Sequence, residues 1–353
     1  MKKTLRIGIA GYGIVGKRRR EVAESRGDMQ TVAVCDQYFG ESGALEDGTR
    51  YYPHYSDLLR EDLDALFVSI SNDMAAEVTS AGLERGLHVF CEKPPGRDLE
   101  DIARVFATKK HHPGLKLKYG FNHRYHDSVR DALAILSSGE LGRVINARGI
   151  YGKSQLVTFG QTSWRTDRAL AGGGVLLDQG IHMVDLLRLF CGEFAEVHSY
   201  VSNDFWKHDV EDNAYALMRS KTGVVAMLHS SATQWRHRFN LDITLERGSI
   251  TLSGILSGSK SYGAETLTVA RLGEDDMGDP LEQTTRYNTD PSWRAEIDEF
   301  ANAIRDNGTI IHGSADDAYR TMELVYRIYC ADPEWRTRWS LRDPAAGSGT
   351  KSE

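Results

Sequence analysis

The sequence predicts a doubly wound α/β domain with a parallel sheet, followed by an α+β domain with a large, mainly antiparallel, open-faced sheet. Three observations predict it. The first third alternates short apolar runs with helical stretches, the pattern of parallel strands joined by crossover helices. A glycine pattern, Gly11-Tyr12-Gly13-Ile14-Val15-Gly16, falls at the first strand-to-helix turn. Beyond His123 the pattern changes to successive β-type runs, separated by turn signals such as Lys221-Thr222-Gly223 and Arg247-Gly248. A chain of 353 residues exceeds one typical core. The expected division is 1–122, 123–340 and a disordered tail over 341–353.

In order along the chain, Leu5–Ala10 reads as a buried strand, and the glycine turn leads into a helix ending near Ser25. Gln30–Asp36, Ala65–Ile70, Leu87–Glu92 and Leu115–Phe121 are the further strands of the first sheet. Helical stretches at Tyr55–Leu59, Ala75–Arg85 and Leu99–Lys109 separate them, with Gly86 placed as a helix stop. In the second domain an amphipathic helix over Asp127–Ser137 precedes a strand over Arg143–Tyr151. A loop and helix around Gly172–Phe190 follow. Six β-type runs between Ala195 and Arg271 read as an antiparallel meander, and helices Trp293–Arg305 and Ala315–Ala331 close the fold.

A net charge of −7 argues against a nucleic-acid partner, and the basic run Lys17–Arg20 reads as a solvated helix face. No stretch is apolar enough to span a membrane. The lysine-rich start fails as a signal peptide, because glycines interrupt the apolar run. Cys35, Cys91, Cys191 and Cys330 are scattered without a CxxC pair, so they read as buried free thiols in a reducing compartment, the cytoplasm.

The glycine pattern acquires meaning from its context between a strand and a helix. Gly11 allows the tight turn, Gly13 lets the backbone approach a pyrophosphate, and Gly16 permits close helix–strand packing. The free N–H groups of the helix start then hold the phosphates. Asp36 stands roughly 20 residues further, at the end of the second strand, where a carboxylate accepts from the adenosine ribose. Its neighbours Gln37 and Tyr38 offer no cation for a 2′-phosphate, so NAD is favoured over NADP.

Cys91-Glu92-Lys93-Pro94-Pro95 lies at the carboxyl end of a parallel strand, the edge where open α/β sheets bind ligands. Pro94 favours an extended Lys93. A surface lysine in a loop is equally compatible with this position. In Gly172–Asp185, helical spacing places Asp178, His182 and Asp185 on one stripe beside an apolar face. Such a pair can handle a proton, and spacing alone serves a structural His–Asp pair equally well. No third ligand stands near enough for a metal site. His111-His112 and His123-x-x-His126 read as loop and helix-start histidines.

Together these motifs resemble the glucose–fructose oxidoreductase / inositol dehydrogenase / MocA family. The likeness rests on Gly11–Gly16, Ser71-Asn72, Glu92-Lys93-Pro94, Gly120-Phe121-Asn122-His123-Arg124-Tyr125 and Gly174-x-x-x-Asp178-x-x-x-His182. It covers nearly the whole chain. The resemblance implies that Lys93, Asp178 and His182 are the catalytic trio of an NAD-dependent oxidoreductase acting on a sugar, sugar nucleotide or cyclitol. It implies a cofactor site built from Gly11, Tyr12, Gly13, Ile14, Val15, Gly16, Asp36, Ser69, Ser71, Asn72, Glu92, Lys93 and Asn122. Substrate contacts would come from Tyr12, Lys93, Arg124, Tyr151, Trp164, Arg165, Asp178, Gln179 and His182. One departure stands out: relatives carry Pro and His where this chain has Ser71 and Ala75. An NAD-dependent glycosidase with a transient keto intermediate, or a non-catalytic dinucleotide sensor, are the alternatives. A homodimer or homotetramer through the open sheet face is expected.

Overall fold

The computed structural model describes residues 4–156, 163–258, 262–273, 278 and 280–344, in two compact units. The first unit takes the chain through Asn122 together with Ala169–Gly172 and Trp293–Arg320; the second takes His123–Arg168, Gly173–Ser292 and the chain from Thr321.

The first unit holds a seven-stranded sheet of β1 (Leu5–Ala10), β2 (Met29–Cys35), β3 (Gly43–Ala44), β4 (Arg50–Tyr52), β5 (Ala65–Val68), β6 (His88–Cys91) and β7 (Leu117–Tyr119). Its order is β3-β4-β2-β1-β5-β6-β7, parallel except for the β3–β4 pair. The strands are near-continuous apolar runs because both faces are covered. Helices α1 (Ile14–Glu24), α2 (Tyr55–Leu58), α3 (Asn72–Glu84) and α4 (Leu99–His111) form the connections. The chain leaves β1 toward β2 on one side and returns to β5 on the other. The carboxyl ends of β1 and β5 therefore flank a topological switch point, the usual ligand crevice of such sheets.

The second unit holds an eight-stranded sheet: β8 (Val144–Gly152), β9 (Phe194–Ser202), β10 (Asn213–Ser220), β11 (Val225–Ser231), β12 (Arg238–Leu245), β13 (Gly248–Ser253), β14 (Glu265–Arg271) and β15 (Leu281–Tyr287). Its order is β15-β14-β13-β12-β8-β11-β10-β9. Helix α5 (Asp127–Ser138) precedes β8, and the single turn α6 (Arg168–Ala171) is followed by α7 (Ile181–Cys191). Helix α7 covers one face: a Cβ on Gly149 of β8 would fall 2.6 Å from the Met183 sulfur, so glycine lets the helix sit close. The other face alternates outward residues such as Tyr215 and Leu217 with inward Ala214, Ala216 and Met218.

Four expectations are corrected. The sheet is not a pure meander, because β8 pairs in parallel with β11. The expected unbroken second domain over 123–340 is interrupted by α8 (Ser292–Arg305) and the first turns of α9 (Ala315–Ala331). Helix α8 inserts Ile297, Phe300 and Ala301 into the core of the first sheet. The Phe300 ring lies 6.0 Å from Phe67 and 5.7 Å from Phe90. A helical pattern reveals a buried face but not whose core receives it. The basic run is a solvated face only in part: Lys17 is exposed, but Arg19 is 1% exposed, inside that same unit. His123 and His126 are buried rather than loop residues. All four cysteines are buried thiols, as expected. The last helix, α10 (Pro333–Arg338), starts at Asp332, whose carboxylate accepts from the Trp335 N–H. Of the tail expected to be disordered, residues 345–353 lie outside the described residues. Among the described residues no helix is long and apolar enough to cross a membrane.

Candidate functional site

In the first unit the three glycines are distinguished by what surrounds them. Gly11 has φ +88°, and a Cβ there would fall 2.2 Å from the Ser69 carbonyl oxygen. A Cβ on Gly16 would fall 1.9 Å from the Gly11 carbonyl, which fixes α1 tightly over the turn. Around Gly13 nothing lies within 4 Å. The second glycine therefore leaves open space over the start of α1, where no side chain caps the helix and no acidic residue stands in its first turn. That is a cradle for a pyrophosphate.

Asp36 joins the turn. Its carboxylate accepts from the backbone N–H of Tyr12 at 2.8 Å and of Tyr38 at 3.1 Å, and keeps lone pairs for a ribose hydroxyl. The Tyr12 side chain lies beside Phe39, its hydroxyl accepting from Arg20 at 2.8 Å. Tyr12 therefore belongs to the Asp36 side of the turn. Ile14 is largely exposed and Val15 half-buried beside it. Ser69 follows β5, and its Oγ is buried with no hydrogen-bond partner among the described residues, a polar atom free to receive a ligand. Ser71 precedes α3, while the Asn72 amide donates to the Ala171 carbonyl at 2.8 Å and so holds the 169–172 segment. These features fit a dinucleotide.

Glu92 and Lys93 follow β6, and the Lys93–Pro94 peptide is cis. Glu92 accepts from Arg19 at 2.6 Å, and Arg19 also pairs with Glu296 of α8 at 2.8 Å. The expected nicotinamide-side carboxylate is thus tied to a buried guanidinium. Burial pushes the Glu296 carboxyl up to about 7, against the opposing pull of Arg19 and Lys118. Asn122 opens the short 3-10 turn Asn122–Tyr125.

In the second unit the residues around Asp178 converge. The helix expected over the glycine run begins as a π-helical turn, Leu176–Gly180, before α7. Such turns recur at functional sites. A Cβ on Gly174 would fall 2.1 Å from the Glu211 carbonyl oxygen, so this entry requires glycine. The buried Glu211 carboxylate accepts from the N–H groups of Gly174 and Leu176 and from the Tyr329 hydroxyl, which pins the turn. Asp178 lies 3.0 Å from the Lys153 ammonium and 3.5 Å from the Arg165 guanidinium. Lys153 also donates to the Leu156 carbonyl at 3.1 Å. Gln179, next in the chain, accepts from the Tyr262 hydroxyl at 3.1 Å. The Arg165 guanidinium covers the Trp164 ring at 4.3 Å.

His182, at the start of α7, is 5% exposed and stacks on His123 with ring centroids 3.8 Å apart. His123 Nε2 lies 3.2 Å from the Tyr151 hydroxyl. Tyr151 is buried and packs its ring 5.5 Å from His123, which it helps to position. The expected stripe fails at Asp185, whose carboxylate takes a two-pronged contact from Arg124 at 2.7 and 2.7 Å and a hydroxyl from Thr321 at 3.0 Å. Arg124, expected at the substrate, is committed to that buried pair. His126 instead meets Glu265 at 2.9 Å. Sequence reasoning missed Lys153, His123, Tyr262 and His237. The one signal was a lysine following a strand that buries Tyr151.

Comparison with known proteins follows the same division. The family model described as "Oxidoreductase family, NAD-binding Rossmann fold" matches residues 5–120, and "GFO/IDH/MocA C-terminal domain" matches residues 129–251. The 1,5-anhydro-D-fructose reductase of Ensifer adhaerens is 33% identical over 257 residues, covering 70% of this chain and 71% of that one. A D-xylose 1-dehydrogenase (NADP(+)) 2 of Haloferax volcanii is 26% identical over 325 residues, covering 90% and 95%. A solved levoglucosan dehydrogenase in complex with NADH shares the fold, with a TM-score of 0.82 at 19% identity over 94% of this chain and 98% of that one. The glycine cradle, the carboxylate on its turn and these matches agree: the chain belongs to the glucose–fructose oxidoreductase / inositol dehydrogenase / MocA family of NAD-binding oxidoreductases.

Proposed function

We propose that this protein is an NAD-dependent dehydrogenase or reductase that moves hydride between nicotinamide and a secondary alcohol of a sugar, sugar nucleotide or cyclitol. The observation that carries the reading is the polar cluster at the head of α7. There Asp178 is held by Lys153 and Arg165, and His182 is held flat on His123. The names of the Ensifer and Haloferax relatives, a sugar reductase and a sugar dehydrogenase, support the substrate class.

When bound, the nicotinamide supplies the hydride acceptor or donor. In the oxidation direction, His182 takes the hydroxyl proton of the substrate, and Asp178 favours the imidazolium that results. The Lys93 ammonium, which follows β6, would stabilise a developing negative charge on a substrate oxygen. Asp36 selects NAD, because a carboxylate repels a 2′-phosphate. Arg20, a cation beside that turn, is engaged by Tyr12, Glu24, Asp47 and Thr49. The four buried thiols support a reducing compartment, the cytoplasm. The chain assembles as a homo-oligomer through its second sheet.

Absorbance of NADH across sugars, inositols and sugar nucleotides, with both coenzymes, tests the reading. His182→Asn is expected to slow the best substrate about 100- to 10,000-fold while NADH still binds. Turnover within a factor of two of wild type removes His182 from the chemistry. Better turnover with NADP overturns the choice of coenzyme.

A further inference from the structure

A cavity of about 660 Å³ opens in the second unit between the segment after β11 and the segment before β14. Its volume lies within the roughly 300–1,000 Å³ typical of small-molecule sites. Trp235, Arg236, His237, Arg238 and Tyr262 line it, and none of the described lining residues is a carboxylate. The chain as a whole carries 50 acidic and 43 basic residues, so two arginines in a lining with no carboxylate among the described residues run against its composition. Neither Arg236 nor Arg238 has an ion-pair partner among the described residues.

The inner wall of the cavity backs onto the candidate site. Tyr262 donates to Gln179, the neighbour of Asp178, and its ring packs 5.3 Å from Tyr151. His237 Nε2 lies 3.0 Å from the hydroxyl of Ser154, the neighbour of Lys153, and Lys153 holds Asp178. On the outer side, Trp235 is 66% exposed, with Phe205 at 5.3 Å and Trp206 at 6.4 Å. An exposed indole beside a cavity is an apolar face for a ring. Two unpaired guanidinium groups beside it are donors for a carboxylate or phosphate.

We propose that this cavity is a second subsite for the substrate, holding the part remote from the reacting carbon: a ring against Trp235 and an anionic group, carboxylate or phosphate, between Arg236 and Arg238. The inference rests on the dehydrogenase reading and narrows its substrate to acidic carbohydrates. It also gives the cationic lining a role that packing does not require.

The test is calorimetric binding of D-glucose, D-glucuronate and D-glucose 6-phosphate to the NADH-loaded protein, paired with NADH formation from the same compounds and NAD. Glucuronate or glucose 6-phosphate is expected to bind at least tenfold tighter than glucose, and the preferred one identifies the anion. The preference should shrink as salt rises. In Arg236→Gln/Arg238→Gln the charged-to-neutral ratio should fall about ten- to a hundredfold. If the double variant melts early, the two single variants answer the same question. Trp235→Ala should weaken the preferred ligand about tenfold. Equal binding of charged and neutral sugars, no binding of any of the three, or a preference that survives the arginine variants overturns the subsite. Charge-selective binding without any NADH formed keeps the subsite and sinks the dehydrogenase. NADH formed equally well from glucose and its acidic derivatives does the reverse.

Discussion

Arg19 lies in a run of four basic residues, yet its guanidinium is sealed between Glu92 and Glu296 and faces the Phe90 and Trp293 rings. A buried carboxylate beside a second carboxylate resists ionisation, and Glu296 therefore titrates near neutrality. Its folded value of about 7 lies above its usual 4.5. The folded state thus holds the proton more tightly than the unfolded chain. This contribution to stability is complete below about pH 4.5 and is lost as pH rises through about 7. Between pH 5 and 8 the melting temperature of wild type should fall relative to Glu296→Gln, whose amide cannot ionise. The slopes, not the absolute values, carry the comparison, because the variant also weakens the Arg19 pair. Parallel slopes would show that Glu296 titrates normally. Side chains of this kind were illegible in the sequence for one reason: burial is tertiary. Arg19 reads as a surface base and His123 as a loop histidine until the chain folds over them.

At the scale of elements, the glycine turn was legible because its constraint is local. Each glycine answers to atoms within the same strand–turn–helix unit or its immediate neighbour strand. The second and third glycines should therefore respond differently to a methyl group. Gly16→Ala forces a Cβ against a backbone carbonyl, and should cost about 1–3 kcal/mol in the apoprotein or more. Gly13→Ala adds a Cβ to open space and should leave the apoprotein melting temperature within a degree or two. It should still weaken NADH binding at least tenfold, since the methyl occupies the space of the pyrophosphate. Denaturation without ligand and fluorescence titration with NADH separate the two. A Gly13→Ala protein that binds NADH normally would place the phosphates elsewhere. Other elements were not legible. The π-helical turn at Leu176–Gly180 has the same apolar spacing as a regular helix, and only the Glu211 contacts reveal where it departs. Strand β15, LEQTTRY, is exposed on both faces at a sheet edge, so no alternation marks it. The parallel β8–β11 pairing depends on which strands meet, which periodicity does not encode.

At the scale of the whole molecule, the second sheet presents an exposed face with large side chains. Four large side chains share it: Tyr200, Tyr215, Leu217 and Met227, between 46% and 80% exposed. They are contiguous, because the register sets Tyr215 against Tyr200 on one side and Leu217 against Met227 on the other. His229 extends the patch, its ring stacked 4.2 Å from Tyr215. Single exposed apolar residues are ordinary, but a connected patch on the flat face of a sheet marks an interaction surface. A flat face of one chain meets a second copy of itself about a two-fold axis most simply, since each residue then finds its partner on the same patch. Sedimentation equilibrium of wild type should therefore return a dimer or a tetramer. Leu217→Glu/Met227→Glu places two like charges on each copy, and across a two-fold axis they confront one another. The variant should sediment as a smaller species with its melting profile retained, because both positions lie outside the core of the unit. A monomeric wild type, or a variant that assembles unchanged, would assign this face to solvent.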